Sequence, residues 1–236
     1  VMTNVWGWVD HGGFDMYLGG NDCGISLRQI HGQEYEPQSR ELWCSLRGDG
    51  LMVDVGAHTG LYTLEAMSLG CRVISIEPYM LNYARLVMNI RKNGYSDSGV
   101  FYGAAGDKNG LASLGVNTTR SYCTSGGTIG EGREAFPVRM ARLDSLIGEP
   151  VSAIKIDVEG GAAAVLRGAS RILNDKPDIL IECTEEGLTE ILAPLGYKFF
   201  VVDEMDGLEP CDDLGVIYAG SGLDMRRINR YCTVKP

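Results

Sequence analysis

From residue 50 onward, short apolar runs alternate with longer stretches in which apolar residues recur every three or four positions. "LMVDV" (51–55) reads as a buried strand, followed by a helix to Leu69. "RVISIE" (72–77) is a second strand, and the next helix runs from Tyr79 to Lys92 with Met80, Tyr83, Val87 and Ile90 on its apolar stripe. A short strand "VFYGA" starts at Val100, and "AIKID" (153–157) is a fourth. After it, "GAAAVLRGASRIL" predicts a helix with Val165, Leu166, Ala169, Ile172 and Leu173 on one side. "DILIEC" (178–183) is the fifth strand, and Leu188, Ile191, Leu192 and Leu195 mark the helix behind it. Such alternation predicts an α/β fold, a doubly wound and mostly parallel sheet with helices on both faces.

Three regions depart from this rhythm. Residues 1–49 contain a strand, "FDMYL" (14–18), and a helix, "QSRELWCSL" (38–46), with Leu42, Trp43 and Leu46 inward. They read as an N-terminal cap segment of the same domain, placed to cover a ligand. Residues 106–132, including "NTTRSYCTSGGTIGEG", are rich in Gly, Ser and Thr and too long for an ordinary connection, so either a hairpin excursion or a mobile flap fits them. Residues 203–222 read as loose, and "RYCTVKP" (230–236) as a final edge strand.

Composition narrows the function. The 236 residues are long enough for one substantial core. Acidic residues outnumber basic ones by 31 to 21, and the resulting charge of -10 repels phosphate backbones and anionic membrane surfaces. A nucleic-acid substrate and a membrane partner are therefore disfavoured. No apolar run is long enough to span a bilayer, and the first residues show no basic segment followed by an apolar one. The seven cysteines form no C-x-x-C pair and are odd in number, which excludes the usual zinc spacing and a complete disulfide framework. Reduced thiols and a cytoplasmic location follow as expectations. No spacing of acids or histidines marks a metal site.

Chemistry enters with the acids. Asp54 lies near the end of the first strand, Glu77 ends the second, Asp107 follows the third, Asp157 ends the fourth and Glu182 nearly ends the fifth. In a parallel sheet those ends share one edge, where open α/β folds bind ligands. Taken singly, any one of these acids is better explained as a cap for the helix that follows; five in order are not. Glu77 stands about twenty residues past the glycine turn, where an acid accepts hydrogen bonds from ribose hydroxyls. The turn itself reads Gly56-Ala57-His58-Thr59-Gly60. Pyrophosphate binding asks for G-x-G-x-x-G, whereas an acid beside a G-x-x-x-G turn suits a ligand with a sulfonium and an ammonium. The charge logic favours S-adenosylmethionine over NAD. In "IKIDVEG" (154–160), Lys155 is at risk of burial and is predicted to pair with Asp157, Glu159 or Glu182, as a structural or a catalytic pair. His58 is either a hydrogen-bonding turn residue or a general base.

These residues resemble a known family. "LMVDVGAHTGLYTLEAMSLG", "VISIEP", "AAGDKNG" (104–110), "ARLDSL" (141–146), "IKIDVEGGAAAVLRGASRIL" and "PDILIEC" (177–183) look like the FkbM family of S-adenosylmethionine-dependent methyltransferases, in motif order over roughly residues 33–200. The resemblance implies a Rossmann-like class I methyltransferase domain over residues 50–236, with a seven-stranded sheet carrying one antiparallel strand. It implies that Asp54, Gly56, Ala57, His58 and Gly60 flank the methionine part of the cofactor and that Glu77 and Pro78 serve the ribose. Ala105, Gly106 and Asp107 would lie near the adenine. Tyr35 and Glu36, in "GQEYEP", resemble the family's acidic motif and would close the pocket, and Asp157 and Glu159 would face the transferred methyl. The base candidates are Asp157, Glu159, Glu182 and His58. The implied reaction is O-methylation of a hydroxyl on a small molecule or secondary metabolite. N-methylation of an amide or amine in a modified peptide, a nicotinamide-dependent oxidoreductase and a non-catalytic cofactor-binding module are the alternatives.

Overall fold

The computed structural model describes residues 6–19, 32–116, 127–130, 134–219 and 222–235. Strands β1 (Trp6–Asp10) and β2 (Asp15–Gly19) form an antiparallel hairpin, and α1 (Pro37–Ser45) follows. The alternation then begins: β3 (Leu51–Val55), α2 (Leu61–Ser68), β4 (Val73–Glu77), α3 (Met80–Lys92) and β5 (Val100–Tyr102). At Gly103 the chain leaves this sheet. Strands β6 (Ala104–Ala105), β7 (Gly110–Val116), β8 (Gly127–Ile129) and β9 (Glu134–Ala141) build a second, four-stranded sheet in the order β6-β9-β7-β8. After α4 (Leu143–Leu146) the alternation resumes with β10 (Val151–Ile156), α5 (Ala162–Gly168), β11 (Asp178–Glu182), α6 (Thr189–Leu192) and β12 (Lys198–Asp203). Strand β13 (Gly207–Cys211), the short pair β14 (Tyr218–Ala219) and β15 (Gly222–Leu223), and β16 (Asn229–Thr233) complete the described elements.

The main sheet has the order β13-β12-β16-β11-β10-β3-β4-β5. Strands β5, β4, β3, β10 and β11 are parallel, and β16 runs antiparallel to both its neighbours. Those strands together with β12 are the seven-stranded sheet with one reversed strand that the sequence predicts. Strand β13 adds an eighth at the edge, antiparallel to β12. Because helices cover both faces, the central strands bury both sets of alternating side chains. Val53, Val55, Ile154, Ile156, Ile179 and Ile181 meet Val165, Leu166 and Ile172 on one face. Met52, Ala153 and Leu180 meet Trp43, Leu64 and Leu86 on the other.

Several expectations need correction. "VFYGA" is two strands in two sheets, since β5 ends at Tyr102 and β6 pairs with β9. Of the two readings of 106–132, the hairpin fits the described part, where β7 pairs antiparallel with β8 and with β9, while 117–126 and 131–133 lie outside the described residues. Residues 203–222 include β13, and "RYCTVKP" is not an edge strand, because β16 sits between β11 and β12. The stripe of α3 is rotated: Asn82, Leu86, Asn89 and Ile90 are buried, whereas Met80 is 60% exposed. The asparagines face inward because each finds partners there. Asn89 Oδ1 accepts Tyr17 N–H at 2.8 Å, and its Nδ2 donates to Thr59 O at 2.9 Å.

The N-terminal segment divides in its contacts. The β1–β2 hairpin buries Met16 and Leu18 and packs against α3 through Asn89 and Asn93. Helix α1 packs near α2: the indole of Trp43, fully buried, donates to Tyr62 O at 3.0 Å, and Arg40 pairs with Glu65. Its first turn is capped from the far end of the sheet by Glu204, whose Oε2 accepts Gln38 N–H at 2.9 Å and whose other oxygen accepts the Ser39 hydroxyl. Asn229 on β16 donates to that hydroxyl at 3.1 Å.

Candidate functional site

Strand β3 runs out into a turn that side chains could not fill. Gly56 has φ +84°, and a Cβ there would overlap the carbonyl oxygen of Asp157 on the neighbouring strand end. Gly60, at φ +103°, caps α2 and would set its Cβ 2.6 Å from Leu86 Cδ1. Only glycine takes these conformations without strain. The N–H groups of the turn are largely spent. Gly56 and Ala57 both donate to Ile76 O (2.9 and 3.1 Å), His58 donates to Glu77 Oε2 (2.9 Å) and Gly60 to Ala57 O (2.9 Å).

Beside the turn lies a cavity of about 50 Å³ lined by Tyr35, Asp54, Gly56, Ala57, His58, Thr59, Leu61, Tyr62, Lys155 and Asp157. A larger depression of about 410 Å³ lies at the opposite edge, around Arg47 and Arg72 ahead of β3 and β4, and holds none of the strand-end acids. We therefore place the candidate site at the smaller one.

Lys155 sits in register with Asp54 on β3 and Leu180 on β11, so its side chain enters the interior, and it is 4% exposed. Burial disfavours its charge, but Asp157, Asp54 and Glu36 outweigh that and hold its pKa above the usual lysine range. Its Nζ donates to Asp157 Oδ2 at 2.8 Å and stands 4.3 Å from the centre of the Tyr62 ring. Tyr62 in turn donates its hydroxyl to Glu36 Oε2 at 2.6 Å. The predicted pairing of Lys155 with one of three acids is thus met by Asp157.

The acids differ in charge state. Asp157, with its side chain 32% exposed, is opposed by desolvation but held below the usual range by Lys155 and by a hydrogen bond from Glu182. Glu182 is pushed up to about 10 by burial and by the negative charge of Asp157. Desolvation also raises Glu36, Glu159 and Asp54. Asp54 is 0% exposed; its Oδ2 accepts the Thr63 hydroxyl at 2.7 Å, while its Oδ1 has no hydrogen-bond partner among the described residues. Glu77 is raised to about 7 by burial, partly offset by the N–H groups of Tyr79 (2.8 Å) and His58. Burial lowers His58 to about 4, so its ring is neutral near pH 7.

Backbone strain is concentrated here. Of the four non-glycine residues with positive φ among the described residues, Glu36 (48°), His58 (51°) and Glu159 (44°) belong to this site.

The structure brings together Tyr35, Asp54, Gly56, Ala57, His58 and Asp157 on the cavity wall, with Glu36 reached through Tyr62 and Glu182 through Asp157. Gly60 stands behind the wall as the α2 cap, Pro78 follows Glu77, and Ala105 and Gly106 are buried where the second sheet begins. Asp107 corrects the picture of five acids on one edge. The chain has left the main sheet before reaching it, and Asp107 faces Arg167 at 4.0 Å on the surface. Thr59, Leu61 and Tyr62 were not singled out by sequence reasoning. Their signal was position alone, in the turn or in the first helical turn after Gly60, where a side chain overhangs the strand ends.

Sheet order, glycine turn and strand-end acids together define a class: a Rossmann-like fold of the methyltransferase type. The family described as Methyltransferase FkbM domain matches residues 54–206, more than half of the chain, and the chain belongs to that family. Among solved structures, it is similar to the methyltransferase FkbM from Methylobacillus flagellatus KT, at 20% identity and a TM-score of 0.51 over 78% of this chain. It spans 43% of that protein's length. It is also similar to M. jannaschii TYW2 in complex with AdoMet (13% identity, TM-score 0.48, 98% of this chain and 85% of that one). A third is the Pyrococcus abyssi tRNA (uracil-54, C5)-methyltransferase in complex with S-adenosyl-L-homocysteine (9% identity, TM-score 0.49, 97% of this chain and 43% of that one). No curated protein matches the sequence. No helix among the described residues is long and apolar enough to cross a membrane.

Proposed function

We propose that this chain transfers the methyl group of S-adenosylmethionine to a hydroxyl oxygen of a small molecule, with Asp157 as the base. The observation that carries the reading is the charge balance at the turn. Carboxylates crowd around one buried ammonium, a buried Asp54 oxygen has no partner among the described residues, and the turn's N–H groups are already engaged. Such a site suits a ligand bearing positive charge and offers little to a pyrophosphate. That supports the methyl donor over a nicotinamide dinucleotide.

In this reading Asp54, Gly56, Ala57, His58 and Gly60 hold the methionine part, Glu77 and Pro78 the ribose side, and Ala105 and Gly106 the adenine side. Tyr35 and Glu36 close the pocket. The bound cofactor supplies a methyl carbon activated by a cationic sulfur. Asp157 accepts the proton of the acceptor hydroxyl, which makes the oxygen a nucleophile, and Glu159 and Glu182 border it. Tyr35, Leu61 and Tyr62 exclude water from the charge-neutralising step, where orientation and a dry environment supply most of the rate. Residues 1–49 act as a cap on the methyltransferase domain of residues 50–236.

Two measurements test this. Calorimetric titration is expected to give binding of S-adenosylmethionine and S-adenosylhomocysteine and none of NAD. With a methyl-labelled donor, the label is expected on hydroxyl oxygen when hydroxylated small molecules and amide-bearing peptides compete. Binding of NAD alone, or label on amide nitrogen, would overturn the assignment.

A further inference from the structure

We propose that Lys155 is a positioning residue: seated on the Tyr62 ring that Glu36 anchors, its ammonium fixes Asp157 as the ionised member of a carboxyl pair whose one proton resides on Glu182. This rests on the function proposed above, which needs a base but does not say what keeps it unprotonated.

The geometry carries the inference. Asp157 and Glu182 stand at the ends of adjacent parallel strands, and each acts on the other's proton affinity. Two neighbouring carboxyl groups resist being ionised together, so the pair favours one negative charge and one proton. Nothing in a symmetric pair decides which member keeps it. Here the environment is asymmetric. Lys155 Nζ lies 2.8 Å from Asp157 Oδ2, and a charge-assisted bond of that length stabilises the ionised form. Glu182 Oε2 is buried with no partner among the described residues, a poor seat for negative charge.

The ammonium would be free to choose another acid, since Asp54 and Glu36 also act on it. The ring of Tyr62 limits that choice. At 4.3 Å the π-face attracts the ammonium, and the 2.6 Å bond from the Tyr62 hydroxyl to Glu36 holds the ring in place. Glu36 itself is held by α1, which Trp43, Arg40 and the Glu204 cap fix to the rest of the fold. The groups acting on the pair are thus Lys155 on β10, Asp54 on β3, His58 in the turn, Tyr62 on α2, Tyr35 and Glu36 ahead of α1, and Glu159 beyond β10. Lys155 brings the positive charge among them, and His58 is neutral near pH 7. During reaction the acceptor's O–H proton passes to Asp157, the new O–C bond forms, and the donor's C–S electron pair returns to sulfur.

The test is an NMR pH titration of protein labelled with ¹³C at the Asp and Glu carboxyl carbons, run on the wild type, Lys155→Met, Lys155→Arg and Tyr62→Leu. In the wild type Asp157 is expected to stay ionised well into acid, with Glu182 titrating in the alkaline range. Lys155→Met is expected to raise the Asp157 midpoint by about one pH unit or more, a tenfold change in proton affinity. Lys155→Arg restores it. Tyr62→Leu, which keeps the charge and removes its seat, moves the midpoint in the same direction and decides the matter if Lys155→Met does not fold. A folded Lys155→Met or Tyr62→Leu that titrates with the wild type would overturn the proposal. Loss of S-adenosylmethionine binding by the wild type would instead strike at the proposed function and leave these titrations intact.

Discussion

Glu182 holds its proton far above the usual carboxylate range, and its effect on stability has a definite sign. The unfolded chain releases that proton near 4.5, while the folded protein keeps it to about 10. Between those values the native state binds more protons, so stability falls as pH rises. Glutamine has no proton to lose and can donate the same hydrogen bond to Asp157. Glu182→Gln is therefore expected to gain on the wild type as pH climbs from about 7 to about 10, by at most about 1.4 kcal/mol per pH unit. Parallel denaturant melts across that window measure the difference, and identical slopes would refute it. The window avoids the opposing contribution of His58, which is unprotonated when folded down to about 4 and adds stability as pH rises towards its ordinary 6.5. At this scale the sequence was informative about charge and poor about partners. Asp54, Glu77, Asp157 and Glu182 could be placed at strand ends because strand ends are legible from apolar runs. That Tyr62 lies under Lys155 depends on how α2 leans over β10, which no local pattern encodes.

Helix α3 illustrates how an element can be found while its orientation is misjudged. Its length and position are read correctly from helical spacing, but its predicted apolar stripe is rotated, with Met80 exposed and the buried face made of Leu86, Ile90 and two asparagines. Asn89 turns inward because it satisfies a backbone N–H on the hairpin and a carbonyl in the glycine turn, neither of which α3 alone could reveal. Asn89→Leu matches the burial and forfeits both bonds. It is expected to destabilise the protein by about 2 to 4 kcal/mol in urea unfolding, with faster amide exchange at Tyr17, because each lost buried bond costs about 1 to 3 kcal/mol. A variant as stable as the wild type would mean that packing, not hydrogen bonding, holds this face. The second sheet was legible only as an interruption. Its longest strands, β7 and β9, each leave their first half exposed, so they lack the continuous apolar runs that announced the main sheet.

For the molecule as a whole, alternation was enough to give the parallel sheet and its helical layers, and the acid beside the glycine turn was enough to point to a cationic ligand. The C-terminal part escaped this reading because antiparallel strands carry no helix between them to set their order. There β16 lies between β11 and β12, pairing with both. This insertion has a consequence for biosynthesis. Strands β11 and β12 are synthesised before residues 229–233, so neither completes its pairing until the last strand arrives, and an unpaired edge is the feature that invites pairing between chains. The sheet cannot close from its N-terminal side as it emerges. It closes by late threading of a strand into a prepared slot, and a chain lacking residues 229–233 is expected to collect in aggregates during expression while the full chain remains in the supernatant.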